Sequence, residues 1–177
     1  MQKTICFTGP ESSGKTTLAR QLATHFNVPL VEESARTYLS RLGRSYQEED
    51  LFVIAGAHLD SVRKADSVPG LLIDTDLTVI KIWSQEKFGR VDERILALCN
   101  AERYDLYLLC KPDLLWQPDP QRENPFDRHR LFDIYVDELS KAKKNFRVVE
   151  GMREKRFQNA LKWCDDYFEN GLIPKLQ

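Results

Sequence analysis

Eight consecutive residues near the start of the chain, Gly9-Pro-Glu-Ser-Ser-Gly14-Lys15-Thr16, have the types and spacing to hold phosphate. They match G-x-x-x-x-G-K-[ST] at every fixed position. Glycines let backbone N–H groups turn inward around an anion, and a helix beginning behind them adds its positive end. Lys15 then reaches the outer phosphates of a nucleoside triphosphate, and the Thr16 hydroxyl is available to a magnesium ion. The expected triphosphate contacts are Gly9, Glu11, Ser12, Ser13, Gly14, Lys15, Thr16 and Thr17. Context supports the motif: the apolar run Thr4–Thr8 precedes it and the amphipathic stretch Lys15–Phe26 follows.

Three further groups could work beside that loop. Leu71–Asp76 reads as a buried strand delivering Asp74 and Asp76 at its C-terminal end, where ligands of doubly wound sheets bind. Asp74 is the expected metal-side carboxylate. Asp76 stands beside it, faces the acceptor, or caps the next helix. Val31-Glu32-Glu33-Ser34-Ala35-Arg36 ends another strand and offers one carboxylate, not two, to the cleft, because strand side chains alternate. Such a group could take a hydroxyl proton or hold a sugar hydroxyl. Lys111–Asp127 carries Pro112, Pro118, Pro120 and Pro125 and reads as a long loop. With Arg122, Arg128 and Arg130 it is expected to form a lid over residues 111–130 whose arginines meet transferring phosphate. Trp116 in the same loop either stacks on a ring or anchors the loop.

The elements that must position these groups alternate. Apolar runs at Thr4–Thr8, Pro29–Glu32, Leu71–Thr75, Leu106–Cys110 and Arg147–Glu150 read as strands. Helical patterns fall near Lys15–Phe26, Gln47–Lys64, Thr78–Phe88, Val91–Glu102, Arg128–Lys144 and Arg153–Asn170. This is an α/β order with a parallel sheet covered on both faces, one domain over residues 1–177. Lys143-Lys144 is expected only to complement a helix dipole.

Bulk properties narrow the function. A net charge of −1, 42% hydrophobic and 30% charged residues describe a globular chain without general attraction for nucleic acid or membrane. No run reaches membrane-spanning length, and no signal peptide precedes the loop. The four cysteines are widely spaced and lack a C-x-x-C pair, which points to a reducing, cytoplasmic setting. His25, His58 and His129 have no metal-ligand spacing.

The ordered motifs resemble a known family, the ribosylnicotinamide kinase domain of NadR-type proteins. The resemblance covers about Thr4 to Ala160: G-P-E-S-S-G-K-T-T-L at Gly9–Leu18, E-x-A-R-x-Y at Glu33–Tyr38 and D-T-D at Asp74–Asp76. It continues with W-S-x-x-x-F-G at Trp83–Gly89, P-D-x-x-W at Pro112–Trp116, D-P-x-R at Asp119–Arg122 and the segment Gly151–Arg156. It implies a three-layer P-loop fold of the nucleoside/nucleotide-kinase type, with a five-stranded parallel sheet and an Arg-rich lid. It implies ATP and Mg2+, and transfer of a phosphoryl group to the 5′-hydroxyl of nicotinamide riboside. Catalytic roles then fall to Lys15, Glu33, Asp74, Asp76, Arg122 and Arg128, and metal contacts to Thr16 and Asp74. Arg156 joins the nucleotide contacts, and Glu33, Arg36, Asp76 and Trp116 are on the acceptor side. The H-x-G-H motif of the family's adenylyltransferase domain is absent, so NAD synthesis from the mononucleotide is not expected.

Ser34, Thr37 and Pro120 depart from the family pattern, so another nucleoside or nucleotide acceptor stays open, as does a homo-oligomer. A nucleotide-dependent switch is the other class. Cys110-Lys-Pro-Asp113 resembles a guanine reader but lacks its asparagine, and Leu77 stands where a switch needs glycine.

Overall fold

The computed structural model describes residues 2–65 and 69–168. Five strands form one parallel sheet in the order β2-β3-β1-β4-β5. They are β1 (Lys3–Thr8), β2 (Leu30–Val31), β3 (Gly70–Asp74), β4 (Leu106–Cys110) and β5 (Phe146–Val149). Seven helices lie among the described residues: α1 (Lys15–Phe26), α2 (Ser34–Leu42), α3 (Glu48–Lys64), α4 (Leu77–Phe88), α5 (Glu93–Ala101), α6 (Arg128–Lys141) and α7 (Arg153–Phe168).

The central strands are buried on both faces, which is why they read as continuous apolar runs. Alternation divides them. Ile5, Phe7, Leu72 and Leu108 pack with Leu18 and Leu22 of α1 and with Ala160 and Cys164 of α7. Cys6, Leu71, Ile73, Tyr107 and Leu109 face α4 and α6 on the other side. A third core, among α2, α3, α4 and α5, joins Ala35, Leu51, Ile54, Leu77, Ile80 and Ile95. In register, Phe7 lies beside Asp74 and Thr8 beside Leu109, so the chain leaves β1 between the ends of its two neighbours.

Two expectations need correction. Helix α2 begins at Ser34, immediately after Glu33, where the sequence reads as a strand end with no helix following. It forms because Ala35, Tyr38 and Leu39 make an apolar stripe that packs on α3, and Gly43 at φ 66° ends it. Helix α6 stops at Lys141 rather than Lys144. Lys143 takes a left-handed φ of 52°, and Lys144 turns into the protein interior. The expected extension of the last helix to Asn170 lies outside the described residues. Lys111–Asp127 is irregular, as its prolines require. All four cysteines are free and buried. Among the described residues, no helix is long and apolar enough to cross a membrane.

Candidate nucleotide and acceptor site

The loop between β1 and α1 is built on close approach. Gly9 has φ 131°, and a Cβ there would stand 2.7 Å from the Cys110 carbonyl oxygen of the neighbouring strand. Gly14, at φ 80°, caps α1, and a Cβ there would meet Leu114 Cδ1 at 2.7 Å. Ser12 is held at φ 54° without being glycine, a local strain of the kind found in ligand clamps. Lys15 folds onto the loop, donating to the carbonyls of Gly9 (2.8 Å) and Pro10 (2.9 Å). The fully buried Ser13 hydroxyl has no hydrogen-bond partner.

The two aspartates after β3 part company. Between them Thr75 has φ 87°, rare for a β-branched residue, while its N–H donates to Phe7 O at 2.9 Å. Asp74 is 1% exposed and neither of its oxygens meets a donor at bonding distance. Burial pushes its carboxyl up; the nearby Thr16 hydroxyl and Lys15 pull the other way. An unpartnered carboxylate close to the Thr16 hydroxyl fits magnesium, which takes one or two protein oxygens and completes its shell with water and phosphate. Among the described residues, no group of three or more His, Cys, Asp or Glu side chains could hold a metal by itself.

Asp76 does not turn toward the acceptor side, which corrects that expectation. Its carboxylate accepts from Thr8 Oγ1 at 2.6 Å, from Thr78 Oγ1, and from Lys144 Nζ at 3.3 Å, and it is 1% exposed. Lys144 also reaches Glu102 Oε2 at 3.3 Å and stands 4.5 Å from the centre of the Tyr107 ring. Burial works against this ammonium, but Asp76 and Glu102 outweigh it and hold it protonated. Glu102 in turn accepts from Leu77 N–H and from Tyr104 Oη, which stands 3.2 Å from His58 Nε2. Lys144 is thus a buried counter-ion, not a dipole partner at a helix end.

Glu32 and Glu33 divide as alternation requires. Glu32 is exposed and pairs with Arg20 at 2.8 Å. Glu33 lines the cavity beside the phosphate loop with Lys15, Thr16, Arg36, Arg122 and Arg156. Burial pushes its carboxyl up; Lys15, Arg36 and Arg122 oppose that and Asp74 reinforces it.

The proline-containing segment lies over the loop and is tied to it by the loop's own side chains. Glu11 accepts from the N–H groups of Glu123 and Asn124, each at 3.0 Å, and from Asn124 Nδ2 at 2.8 Å. Ser12 Oγ accepts from Gln117 N–H at 3.0 Å, and Arg128 donates to Ser12 O at 3.2 Å. On the far rim, Arg36 pairs with Asp119 at 3.0 Å. Arg122 lines the cavity and donates to Gln117 O. Arg130 is used elsewhere, pairing with Glu86 and Asp127. Trp116 is absent from the cavity wall. Its ring lies 5.6 Å from the Arg128 guanidinium and 6.0 Å from that of Arg122, so it steadies the arginines.

Arg156 is 5% exposed and spans the site's floor. It donates to Ser13 O (2.6 Å), Lys111 O (2.9 Å), Gly151 O (3.0 Å) and Asp113 Oδ1 (2.7 Å). Asp113, which a guanine reader would spend on a base, here accepts from Arg156 and from Gly151 N–H at 2.6 Å.

The cavity, about 510 Å³, is lined by Leu114, Arg153 and Phe157 as well as by Glu33, Trp83 and Tyr135. A further cavity of about 860 Å³, lined by Glu32, Thr37, Tyr38 and Lys64 among others, shares Glu33 with it. A side chamber of about 140 Å³ that sequence reasoning missed shares Glu11, Trp83 and Tyr135 with the first. Tyr46 and Trp83 line it with their rings 6.2 Å apart and 33° from parallel, beside Glu86 and Glu123. Only Trp83 gave a signal in the sequence, as part of a motif; Tyr46 lies in a loop far from it in the chain.

A phosphate loop following the first strand of a five-stranded parallel sheet, with an acidic strand beside it, defines a P-loop nucleotide-binding protein. The chain belongs to the AAA domain family, whose model matches residues 4–156. It is also similar to the trifunctional NAD biosynthesis/regulator protein NadR of Escherichia coli (strain K12), 31% identical over 166 residues. That match takes in 88% of this chain and 40% of the relative, so the chain spans less than half of the relative's length. Among solved structures, a NadR protein in complex with NR superposes with a TM-score of 0.83 at 21% identity, covering 99% of this chain and 54% of that one. A NadR protein in complex with NAD and AMP-PNP gives 0.79 at 21% identity, covering 99% of this chain and 52% of the other. At that identity these two carry the fold.

Proposed function

We propose that the chain is a kinase that uses ATP and magnesium to phosphorylate the 5′-hydroxyl of nicotinamide riboside, giving nicotinamide mononucleotide. The observation that carries this reading is the cavity that brings Lys15 and Thr16 of the phosphate loop together with Glu33 and Arg36, with a further cavity of about 860 Å³ beside β2, α2 and α3 sharing Glu33 with it. A hydrolase or switch has no use for a second cavity walled by Glu32, Glu33 and Tyr38. A ring with a fixed positive charge does, because it is attracted both by ring faces and by acidic groups. The similarity to NadR supports the same choice.

Each residue then has work at a stated atom. The loop N–H groups and Lys15 hold the β- and γ-phosphates, and Arg122 brings positive charge to the oxygens of the moving phosphoryl group, while Arg128, which does not line the cavity, ties the covering segment to the loop through Ser12 O and Leu114 O. Arg156 fixes the loop through Ser13 O and borders the nucleotide. Magnesium, when bound by Thr16 and Asp74, supplies charge neutralisation between the phosphates. The acceptor's 5′-oxygen forms a bond to the γ-phosphorus as the bond from that phosphorus to the bridging oxygen of ADP breaks. Glu33 accepts the hydroxyl proton, and Arg36 orders the acceptor rim through Asp119. The segment over the loop keeps water from competing as acceptor.

The test is ADP release from magnesium-ATP across a panel of nucleosides and mononucleotides that includes nicotinamide riboside. Selective stimulation by nicotinamide riboside is expected. Selective stimulation by another acceptor would overturn the substrate and keep the kinase; release indifferent to every acceptor would overturn both.

A further inference from the structure

The phosphate loop carries a carboxylate where an anion is to bind: Glu11 stands between Gly9 and Lys15, at a position the motif leaves open. A negative charge there opposes a phosphate unless its oxygens are engaged elsewhere. They are. Glu11 accepts from the N–H groups of Glu123 and Asn124, each at 3.0 Å, and from Asn124 Nδ2 at 2.8 Å. Its neighbour Ser12, held at φ 54°, accepts from Gln117 N–H at 3.0 Å. Arg122 lies between these two anchors. Its N–H closes a turn on Asp119 O at 3.0 Å, and its guanidinium donates to Gln117 O. Arg36 holds Asp119 at 3.0 Å from one side, and Lys87 holds Glu123 at 3.4 Å from the other. Residues 117–124 are thus fastened at both ends to the loop that grips the phosphates, with Arg122 facing the cavity between.

We propose that Glu11 is a positioning residue for phosphoryl transfer: its carboxylate latches the covering segment to the phosphate loop and so fixes Arg122 over the moving group. The proposal rests on the phosphoryl-transfer half of the kinase reading, not on which acceptor is used. An arginine stabilises the charge that develops on the phosphoryl oxygens only when its donors are in place beforehand. A loose segment has to be ordered at every turnover; a segment fastened to the loop keeps its arginine in register with the phosphates that the loop holds. The anchor's charge suits the task, because hydrogen bonds to a carboxylate are stronger than those to a neutral acceptor. The backbone of Glu11 belongs to the phosphate loop while its side chain holds the segment, so one residue couples the grip on nucleotide to the placement of Arg122.

Glu11→Ala should lower kcat on the order of 10²-fold, the scale of a misplaced reacting group. AMP-PNP affinity should change little, since Lys15 and the loop N–H groups remain. Glu11→Gln, whose amide oxygen still accepts from the N–H groups of Glu123 and Asn124, should recover most of the lost turnover. Glu11→Asp is too short to reach them and should not. In an Arg122→Ala background Glu11→Ala should cost little more, because the group it places is gone. Amide hydrogen exchange reads the latch without turnover. In Glu11→Ala the N–H groups of Glu123 and Asn124 should exchange about tenfold faster or more, the worth of one hydrogen bond to a charged acceptor, while those of β1 and β4 keep the wild-type rate. The proposal is overturned by a fall in AMP-PNP affinity that matches the fall in kcat, by additive effects of Glu11→Ala and Arg122→Ala, or by unchanged exchange at Glu123 and Asn124. Faster exchange in a protein without acceptor-dependent ADP release would sink the kinase and leave the latch standing. Turnover of nicotinamide riboside that Glu11→Ala does not slow would do the reverse.

Discussion

Glu33 and Asp74 are both carboxylates pushed up by burial, yet they lead to opposite experiments. Glu33 is useful only when ionised, so kcat/KM should rise with pH along a limb centred above the ordinary glutamate value of 4.5. Glu33→Gln should lower turnover on the order of 10²-fold, leave ATP affinity intact and erase that limb. A limb that survives the substitution would assign it to another group. Asp74 bears on stability instead. Its folded-state value lies above the unfolded one near 3.8, so the penalty of ionising it in the fold is absent below about pH 4. The penalty grows as the pH rises and is complete once the folded value is passed. Asp74→Asn should therefore stabilise the ligand-free protein at neutral pH, because a neutral amide carries none of that ionisation penalty. The stabilisation should fade in acid, and the variant should lose the gain in AMP-PNP affinity that magnesium confers. Thermal melts across pH, with and without magnesium and nucleotide, check both halves; a melting temperature lowered at neutral pH would show that the carboxylate is paired after all.

At the scale of elements, legibility followed how local the determining forces are. The phosphate loop, the strand bearing Asp74 and the four-proline segment are all set by residues adjacent in sequence: glycines, an apolar run, rings that forbid regular structure. Their positions in the fold are the expected ones. Helix α2 was illegible because Glu32-Glu33-Ser34 resembles a strand end, and its apolar stripe acquires meaning only when α3 is beside it. The site divided in the same way. That Glu32 and Glu33 could not both face the cleft followed from strand alternation, and the motif resemblance pointed to Glu33; the physical reason, Arg20 holding Glu32 outside, comes from a different element. Trp116 sat in the right segment, yet its ring was already claimed by Arg122 and Arg128. Tyr46, Trp83 and Lys87 meet only because the loop before α3 folds over α4, a contact no spacing rule encodes.

At the scale of the molecule, the buried cluster around Lys144 joins parts that otherwise meet only through apolar packing. Thr8 ends β1, Asp76 opens α4, Glu102 closes α5, Lys144 precedes β5 and His58 comes from α3. The cluster lies on the face of the sheet opposite α1, just behind the aspartate strand and the start of the phosphate loop. Two carboxylates share one ammonium there, all at most 9% exposed, so the fold depends on a charge balance as well as on packing. Lys144→Met keeps most of the side chain's length and removes only the charge. It should nonetheless cost about 3–5 kcal/mol, because Asp76 and Glu102 are left buried without their cation. For a chain of this size that is a fall in melting temperature of roughly 6–20 °C. Adding Glu102→Gln should return part of the loss, since one buried charge rather than two then lacks a partner, while the amide oxygen can still accept from Leu77 N–H. Calorimetry on the single and double variants distinguishes this from a helix-end lysine. A loss within about 0.5 kcal/mol, the usual range for surface substitutions, would mean that the three charges do not hold the layers together.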